Sequence, residues 1–235
     1  MADDAAHIVI FDVDGTLVDT NYHHALAWFR AFRSRDVTVP VWRIHRAIGM
    51  GGDRLIEHVA GRAVEDRHGD ALRERWKDEY ERLIGEVVPL DGAHDLLAAA
   101  REQGFRVALA SSGDPDHVRR YLDLLDVGGL AEEWTTSADA EQTKPAPDLV
   151  AIAAEKVGGD EAVLVGDSTW DCLAARNADL PCVAVRTGGF SGEELRDAGA
   201  ERVFDSLPDL RKALPDLPFG PITRHDSANR KGETS

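Results

Sequence analysis

Four short apolar runs constrain the fold of this chain more than any other feature of its sequence. None alternates with polar residues, and this is the pattern of strands covered on both faces of a parallel sheet. Amphipathic helical patterns separate the runs, so the sequence predicts an α/β fold with a doubly wound, Rossmann-like parallel sheet. The runs are residues 8–11, 107–110, 162–165 and 182–185, with weaker strand patterns at 134–136 and 202–204. Helices are predicted at residues 93–103, 116–125, 148–157 and 170–178.

The segment between the first two runs has a different character. Residues 19–87 show helical periodicity and no convincing strand. This segment is too long for a simple crossover and too helical for a loop. We therefore predict a helical cap domain at 19–87, inserted into a core of residues 1–18 and 88–217. Cap helices are predicted at 22–33, 41–48, 52–60 and 70–84, and a disordered polar tail at 218–235.

Composition limits the partners of the chain. It has 43 Asp and Glu against 27 Lys and Arg, a formal net charge of −16. A surface of this sign repels nucleic acid and anionic membranes, so neither is an expected partner. No apolar run is long enough to span a bilayer, and the first residues lack the pattern of a signal peptide. We expect a cytoplasmic protein whose two cysteines are buried, reduced thiols.

The first apolar run ends in Asp12-Val13-Asp14-Gly15-Thr16. Side chains two residues apart on a strand point to the same side, and two carboxylates that close are unfavourable without a cation or a shared proton. Acidic oxygens suit a hard cation such as Mg²⁺. The pair therefore predicts a metal site at the carboxyl end of a strand, where open α/β sheets bind ligands. An Asp-Gly turn that only ends the strand is the alternative.

Two later segments have the composition of an anion site. Ser111-Ser112-Gly113 follows the second run, and small residues there leave backbone N–H groups free to bind an anion. An ordinary strand-to-helix connection is the alternative. Lys144 precedes a proline-rich helix start and offers the local positive charge that a phosphate needs in so acidic a chain. A solvated surface lysine is the alternative for that residue.

The fourth segment, Gly166-Asp167-Ser168, follows the third apolar run. Asp171 comes four residues after Asp167, on the same side of the helix that begins there. Asp167 could be a helix N-cap. Two carboxylates at this spacing after a buried strand favour metal binding instead.

The order and spacing of these four segments resemble the haloacid dehalogenase-like hydrolase superfamily. The resemblance covers about residues 8–204, and the helical insert is similar to the first type of cap in that family. It implies a Mg²⁺-dependent phosphatase that hydrolyses a small phosphorylated metabolite through an aspartyl-phosphate. The residues that carry it are Asp12 to Thr16, Ser111, Lys144, and Gly166-Asp167-Ser168 with Asp171.

The resemblance also implies separate roles for the acidic residues. Asp12 is the expected nucleophile, and Asp14 the expected proton donor to the leaving oxygen. The metal ligands implied are the Asp12 carboxylate, the Asp14 backbone carbonyl and Asp167, with Asp171 orienting metal-bound water or a neighbouring ligand. An aspartate at position 14 suits an oxygen leaving group, which favours a phosphatase or a phosphomutase over a dehalogenase.

Phosphoryl oxygens are expected on Ser111 and Lys144, with Ser112 and Gly113 in the same phosphate site. Thr16 is expected either to hydrogen-bond near the nucleophile or only to shape the turn. The loop with Gly49 and Gly51 looks like the substrate loop in the cap of phosphoglycolate phosphatases. A flexible turn between cap helices is its alternative.

Two other functions stay open at this stage. The first is a sugar-phosphate mutase similar to beta-phosphoglucomutase, which this chain resembles around Thr20, His24 and Trp28. Such mutases carry cations at the positions of Gly52 and Asp114, and this chain has none there. The second is a catalytically silent protein that binds phosphate for regulation. The sequence makes no prediction of oligomeric state.

Overall fold

A computed structural model describes residues 7–140 and 142–222. Six of its strands form a parallel sheet in the order β3-β2-β1-β4-β5-β6, so the predicted α/β fold is confirmed. The strands are β1 (His7–Asp12), β2 (Arg106–Ala110), β3 (Glu133–Thr135), β4 (Glu161–Gly166), β5 (Cys182–Val185) and β6 (Ala200–Phe204). The helices that cover the sheet are α5 (Ala93–Glu102), α6 (Pro115–Leu125), α7 (Asp148–Val157), α8 (Thr169–Asn177), α9 (Gly192–Ala198) and α10 (Leu207–Lys212).

Strand β1 explains why the apolar runs do not alternate. It lies between β2 and β4, with Asp12 opposite Ala110. Val9 and Phe11 pack into the hydrophobic cluster on one face of the sheet. Ile8 and Ile10 pack into the cluster on the other face. Since both faces are covered, every position from Ile8 to Phe11 is apolar until the chain reaches the edge where Asp12 lies.

The segment after β1 forms helices with a hydrophobic cluster of their own. Trp28, Phe32, Ile44, Leu55 and Leu72 are buried together in that cluster. The division of the chain into a cap domain and a core stays a prediction. The helices of the segment are α1 (Asn21–Arg33), α2 (Val41–His45), α3 (Gly52–Ala60) and α4 (Arg62–Glu81).

Helices α4 and α2 differ most from the prediction in this segment, and α4 also ends at Glu81 rather than at residue 84. Helix α4 begins at Arg62, eight residues before the predicted start. The prediction missed this part of the helix because 62–69 is too polar to show an apolar stripe. An ion pair between Arg73 and Glu65, with N···O 2.8 Å, links this polar first part to the rest of the helix. Helix α2 ends at His45, where the prediction extended it to residue 48.

The prediction of a disordered tail does not hold for residues 218–222. Gly220–Pro221 forms strand β7, which pairs antiparallel with β4. The backbone N–H of Ile222 donates to the carbonyl of Asp160 at 2.9 Å, and Phe219 stacks on His7. A pairing of two residues leaves no periodicity in the sequence, so it was not predicted. Residues 223–235 lie outside the described residues.

Two further findings concern expectations from composition. No helix in the described part of the chain is long and apolar enough to cross a membrane. Cys172 and Cys182 are buried free thiols, as predicted.

Candidate active site

Four of the predicted site residues meet where β1 and β4 end. Asp12 is the last residue of β1, and Lys144 reaches it from the loop before α7. The Nζ atom of Lys144 bonds to Oδ1 of Asp12 and lies 2.7 Å from Oδ1 of Asp171. Asp167 follows β4, so it also lies at this edge. The four side chains are buried and therefore interact in a medium of low dielectric constant.

The hydroxyl of Thr16 lies between two of these carboxylates. Its Oγ1 is 3.1 Å from Oδ2 of Asp12 and 2.9 Å from Oδ1 of Asp167. A hydroxyl has one proton, so Thr16 donates to one carboxylate at a time. Asn21, the first residue of α1, donates from Nδ2 to Oδ2 of Asp167 at 2.8 Å. Thr16 is thus a hydrogen-bonding residue beside Asp12 and not only part of a turn.

The positive charge at this site does not balance the negative charge of its carboxylates. Oxygens of Asp12, Asp167 and Asp171 all lie within 4.8 Å of one another, and one lysine faces them. Burial raises the pKa of Asp12 well above its usual range; Lys144 opposes this, and the other carboxylates add to it. Burial and the charge of Asp171 raise the pKa of Asp167 to about 7. An unbalanced set of acidic oxygens fits a hard divalent cation.

Asp171 also organises the start of α8. Its Oδ2 accepts hydrogen bonds from the N–H of Ser168 at 3.1 Å and from the Ser168 hydroxyl at 2.5 Å. The Ser168 hydroxyl in turn caps the N–H of Asp171, which completes a capping box. Ser168, and not Asp167, is therefore the N-cap. The carboxylate of Asp167 instead accepts hydrogen bonds from Thr16 and Asn21.

The carboxylate of Asp14 lies outside this cluster and has different partners. Its Oδ2 accepts a hydrogen bond from Oγ of Ser111 at 2.7 Å, and its Oδ1 is 3.1 Å from Nε2 of His24. Burial opposes ionisation of Asp14, but the hydrogen bond and charge of His24, with the Ser111 hydroxyl, outweigh it and lower the pKa. Asp12 and Asp14 are only two residues apart in the chain, and their carboxylates nevertheless have different partners.

The loop between α2 and α3 covers this edge of the sheet. The N–H of Gly51 donates to Oγ1 of Thr143 at 3.1 Å, and that hydroxyl donates to Oδ1 of Asp53 at 2.5 Å. Thr143 directly precedes Lys144. Gly49 has φ +105°, and a Cβ there would be 2.8 Å from Oγ of Ser168. Close approach and the left-handed backbone both require glycine at this position.

Between this loop and the aspartates lies a cavity of about 60 Å³. At ~10–15 Å³ for one water molecule, this is room for a few waters or a small ligand. Of the residues predicted to bind phosphate or substrate, Ser112, Gly113, Lys144, Gly49 and Gly51 line it. The structure thus brings the predicted cap and core residues to one space.

The family model for haloacid dehalogenase-like hydrolases matches residues 6–179, most of the chain. The chain belongs to this family. Phosphoglycolate phosphatases of Caulobacter vibrioides and Colwellia psychrerythraea are 32% and 30% identical to it, over 87% and 88% of this chain and 89% and 96% of theirs. A hydrolase from Pseudomonas syringae has a similar structure, with a TM-score of 0.84, 34% identity, and coverage of 90% of this chain and 99% of that one.

Several residues of this haloacid dehalogenase-like hydrolase reach the site without a signal in the sequence. A Cβ on Gly188 would be 1.7 Å from Oδ2 of Asp167, so this glycine makes room for that carboxylate. The carbonyl of Gly188 is 3.0 Å from Nε2 of His45. Trp76 of α4 lines the cavity. Only the place of Asn21, soon after the first motif, could have indicated its role.

Proposed function

We propose that this hydrolase is a Mg²⁺-dependent phosphatase that hydrolyses a small phosphorylated metabolite through an aspartyl-phosphate on Asp12. The observation that carries the proposal is the different setting of the two aspartates. Asp12 lies with Lys144 and two further carboxylates, whereas Asp14 is hydrogen-bonded by Ser111 and His24. Phosphoryl transfer to a carboxylate requires a nucleophile and a separate proton donor, and this pair supplies both.

The reaction begins when an oxygen of Asp12 attacks phosphorus and the bond to the leaving oxygen breaks. Asp14 gives its proton to that oxygen, so the product leaves as an alcohol. Water then attacks the phosphorus of the aspartyl-phosphate, passes a proton to Asp14 and releases inorganic phosphate. The pKa of Asp14 is low without substrate. A phosphate dianion beside it raises that pKa by like-charge repulsion and favours the protonated form that the first step needs.

Charge balance at the site supports a phosphate substrate with a metal. Lys144 neutralises part of the negative charge, and a cation held by Asp12, Asp167 and the backbone carbonyl of Asp14, with Asp171 beside it, would neutralise more. When bound, such a metal supplies electrostatic stabilisation of the phosphoryl oxygens. Ser111, Ser112 and the N–H of Gly113 are proposed to hold those oxygens. The Ser111 hydroxyl and the Gly113 N–H are at present 2.9 Å apart in a hydrogen bond with each other.

The relatives named phosphoglycolate phosphatase support this reaction class for the chain. The test is release of inorganic phosphate from p-nitrophenyl phosphate with Mg²⁺ or with EDTA. We expect turnover that EDTA abolishes and that Asp12→Asn reduces to background. Asp123→Asn, the same chemical change on the exposed face of α6, is the control and keeps full activity. Equal rates with EDTA, or an active Asp12→Asn variant, would refute the proposal.

A further inference from the structure

The cavity above the aspartates has two chemically different ends. Its core end contains Asp12, Asp14, Lys144 and the Ser112–Gly113 turn, where the phosphoryl group is proposed to bind. Its cap end is lined by apolar and aromatic side chains and by the glycine-rich loop. Those cap residues are Trp28, Ile48, Met50, Trp76 and glycines 49, 51 and 52. The cap end therefore faces the part of the substrate that leaves.

The cap end has no free positive charge among the described lining residues. The basic side chains that line the cavity are Lys144 and His24. Lys144 is bound by Asp12 and Asp171, and His24 lies 3.1 Å from Asp14. Both basic groups are thus already paired with carboxylates of the site. A leaving group with a carboxylate or a second phosphate would be desolvated there without a counter-charge, which is strongly unfavourable.

Two cations of α4, the helix that carries the cavity-lining Trp76, are engaged elsewhere. Arg73 donates to the carbonyl of Gly52 and pairs with Glu65, with N···O distances of 3.1 and 2.8 Å. Lys77 pairs with Asp114 at 2.9 Å. To bind an anionic leaving group, either side chain would have to break these contacts. Gly52 itself lies against Trp28, and a Cβ there would be 3.3 Å from the indole ring.

Two polar atoms of the lining residues lack partners. Nε1 of Trp76 and Oγ of Ser112 are buried and have no hydrogen-bond partner within the described residues. Trp76 stacks against Trp28 with ring centroids 5.3 Å apart. Buried donors without partners are unfavourable, so a ligand that accepts hydrogen bonds here gains stability. An uncharged oxygen is such an acceptor and needs no counter-charge.

We propose that the substrate of this enzyme is the phosphate monoester of an uncharged hydroxyl compound. The leaving group packs against the Trp28–Trp76 pair and accepts a hydrogen bond from Nε1 of Trp76, while Oγ of Ser112 stays with the phosphoryl oxygens. This inference rests on the proposed phosphatase function and narrows its substrate class. It predicts that 2-phosphoglycolate, whose leaving group carries a carboxylate, is a poor substrate for this chain. In this respect the chain would differ from its relatives that are named phosphoglycolate phosphatase.

The test compares two monoesters of nearly equal size. 2-Phosphoglycolate carries the charge, and 2-hydroxyethyl phosphate replaces its carboxylate with an uncharged hydroxymethyl group. We expect kcat/KM at pH 7.5 with Mg²⁺ to be at least about tenfold higher for 2-hydroxyethyl phosphate, because the carboxylate finds no partner. A higher kcat/KM for 2-phosphoglycolate would overturn the inference and leave the phosphatase proposal standing. No turnover of either ester or of p-nitrophenyl phosphate would overturn both.

The same inference can be tested by a positive charge introduced into the protein at the cap end of the cavity. Met50 lines the cavity and is partly exposed. Met50→Lys is expected to raise the ratio of kcat/KM for 2-phosphoglycolate over 2-hydroxyethyl phosphate by about fivefold or more, through direct attraction of the carboxylate. Met50→Gln has a similar size without charge and is expected to leave the ratio unchanged. An unchanged ratio in Met50→Lys would count against the proposed position of the leaving group.

Discussion

The Nζ atom of Lys144 lies 2.7 Å from Oδ1 of Asp171, and both residues are buried at the edge of the sheet. The same ammonium bonds to Asp12. The charge of Lys144 therefore opposes the rise that burial causes in the pKa of Asp12, without cancelling it. The attraction of Asp12 and Asp171 raises the pKa of Lys144 above its ordinary value, although burial opposes this.

Replacement of this lysine is expected to reduce both activity and stability. Lys144→Met removes the charge that we propose binds phosphate, so kcat/KM should fall by about 10²–10³-fold. Loss of one partner of a buried ion pair costs about 3–5 kcal/mol in the free energy of unfolding. Urea titration measures this loss. Lys156→Met removes a partly exposed pair with Asp139 and should cost at most about 1 kcal/mol. Equal losses in the two variants would contradict the prediction.

Stability without metal should depend on pH in a defined direction. The pKa of Asp167 is about 7 in the folded protein against an ordinary value of 3.8, so the folded state binds the proton more tightly. Stability of the metal-free protein should therefore fall as the pH rises from about 4 to about 7. Mg²⁺ competes with that proton, and its stabilising effect should be larger at pH 8 than at pH 5.

Thermal unfolding at pH 5 and at pH 8, each with EDTA and with about 10 mM Mg²⁺, measures the stabilising effect of the metal at the two pH values. A shift of the melting temperature that is equal at the two pH values would contradict it. Asp167→Asn is the matched variant, because it removes the titrating group. In that variant the metal-free melting temperature should change less between pH 5 and pH 8.

His24 should set the proton affinity of Asp14. Its Nε2 lies 3.1 Å from Oδ1 of Asp14, and this contact contributes to the low pKa of that carboxyl. His24→Asn removes the charge, so the pKa of Asp14 should rise and the pH profile of kcat/KM should shift to higher pH. His23→Asn changes the neighbouring histidine and serves as the control. A profile that shifts equally in both variants would show that His24 acts only through packing.

Gly188 should control the position of Asp167. A Cβ at residue 188 would be 1.7 Å from Oδ2 of Asp167, so Gly188→Ala must displace the carboxylate. We expect weaker Mg²⁺ binding. The Mg²⁺ concentration for half-maximal activity should rise by about tenfold or more. Gly128→Ala is the control, because a Cβ at that position meets nothing within 4 Å. Unchanged metal dependence in Gly188→Ala would remove Asp167 from the proposed metal site.

Much of the core and of the site was predictable because the signals are local. Buried strands require continuous apolar residues, and the six strand patterns all became strands within one or two residues of their predicted bounds. Parallel strands place their carboxyl ends together, so residues after β1, β2 and β4 could be assigned to one site. The contact between Lys144 and Asp12 joins residues 132 positions apart, and only the resemblance to a family indicated it.

Residues whose role depends on a distant partner were not predictable. Asn21 and Gly188 are ordinary residues until the fold places Asp167 between them. Helix α4 begins earlier than its apolar pattern, since ion pairs rather than an apolar stripe stabilise its start. Strand β7 exists because β4 has a free edge at Glu161 and Ala162.

The sequence by itself determined the α/β fold, because buried strands follow from local apolar patterns, and its resemblance to a family indicated the acidic and basic residues of the proposed phosphoryl site. Only the tertiary structure decided what surrounds them. It separates Asp14 from the acidic cluster through His24 and Ser111, and it places Trp28 and Trp76 in a cavity whose described lining residues offer no unpaired cation. These features arise from packing between helices and strands far apart in the chain, and they set the substrate preference that we propose.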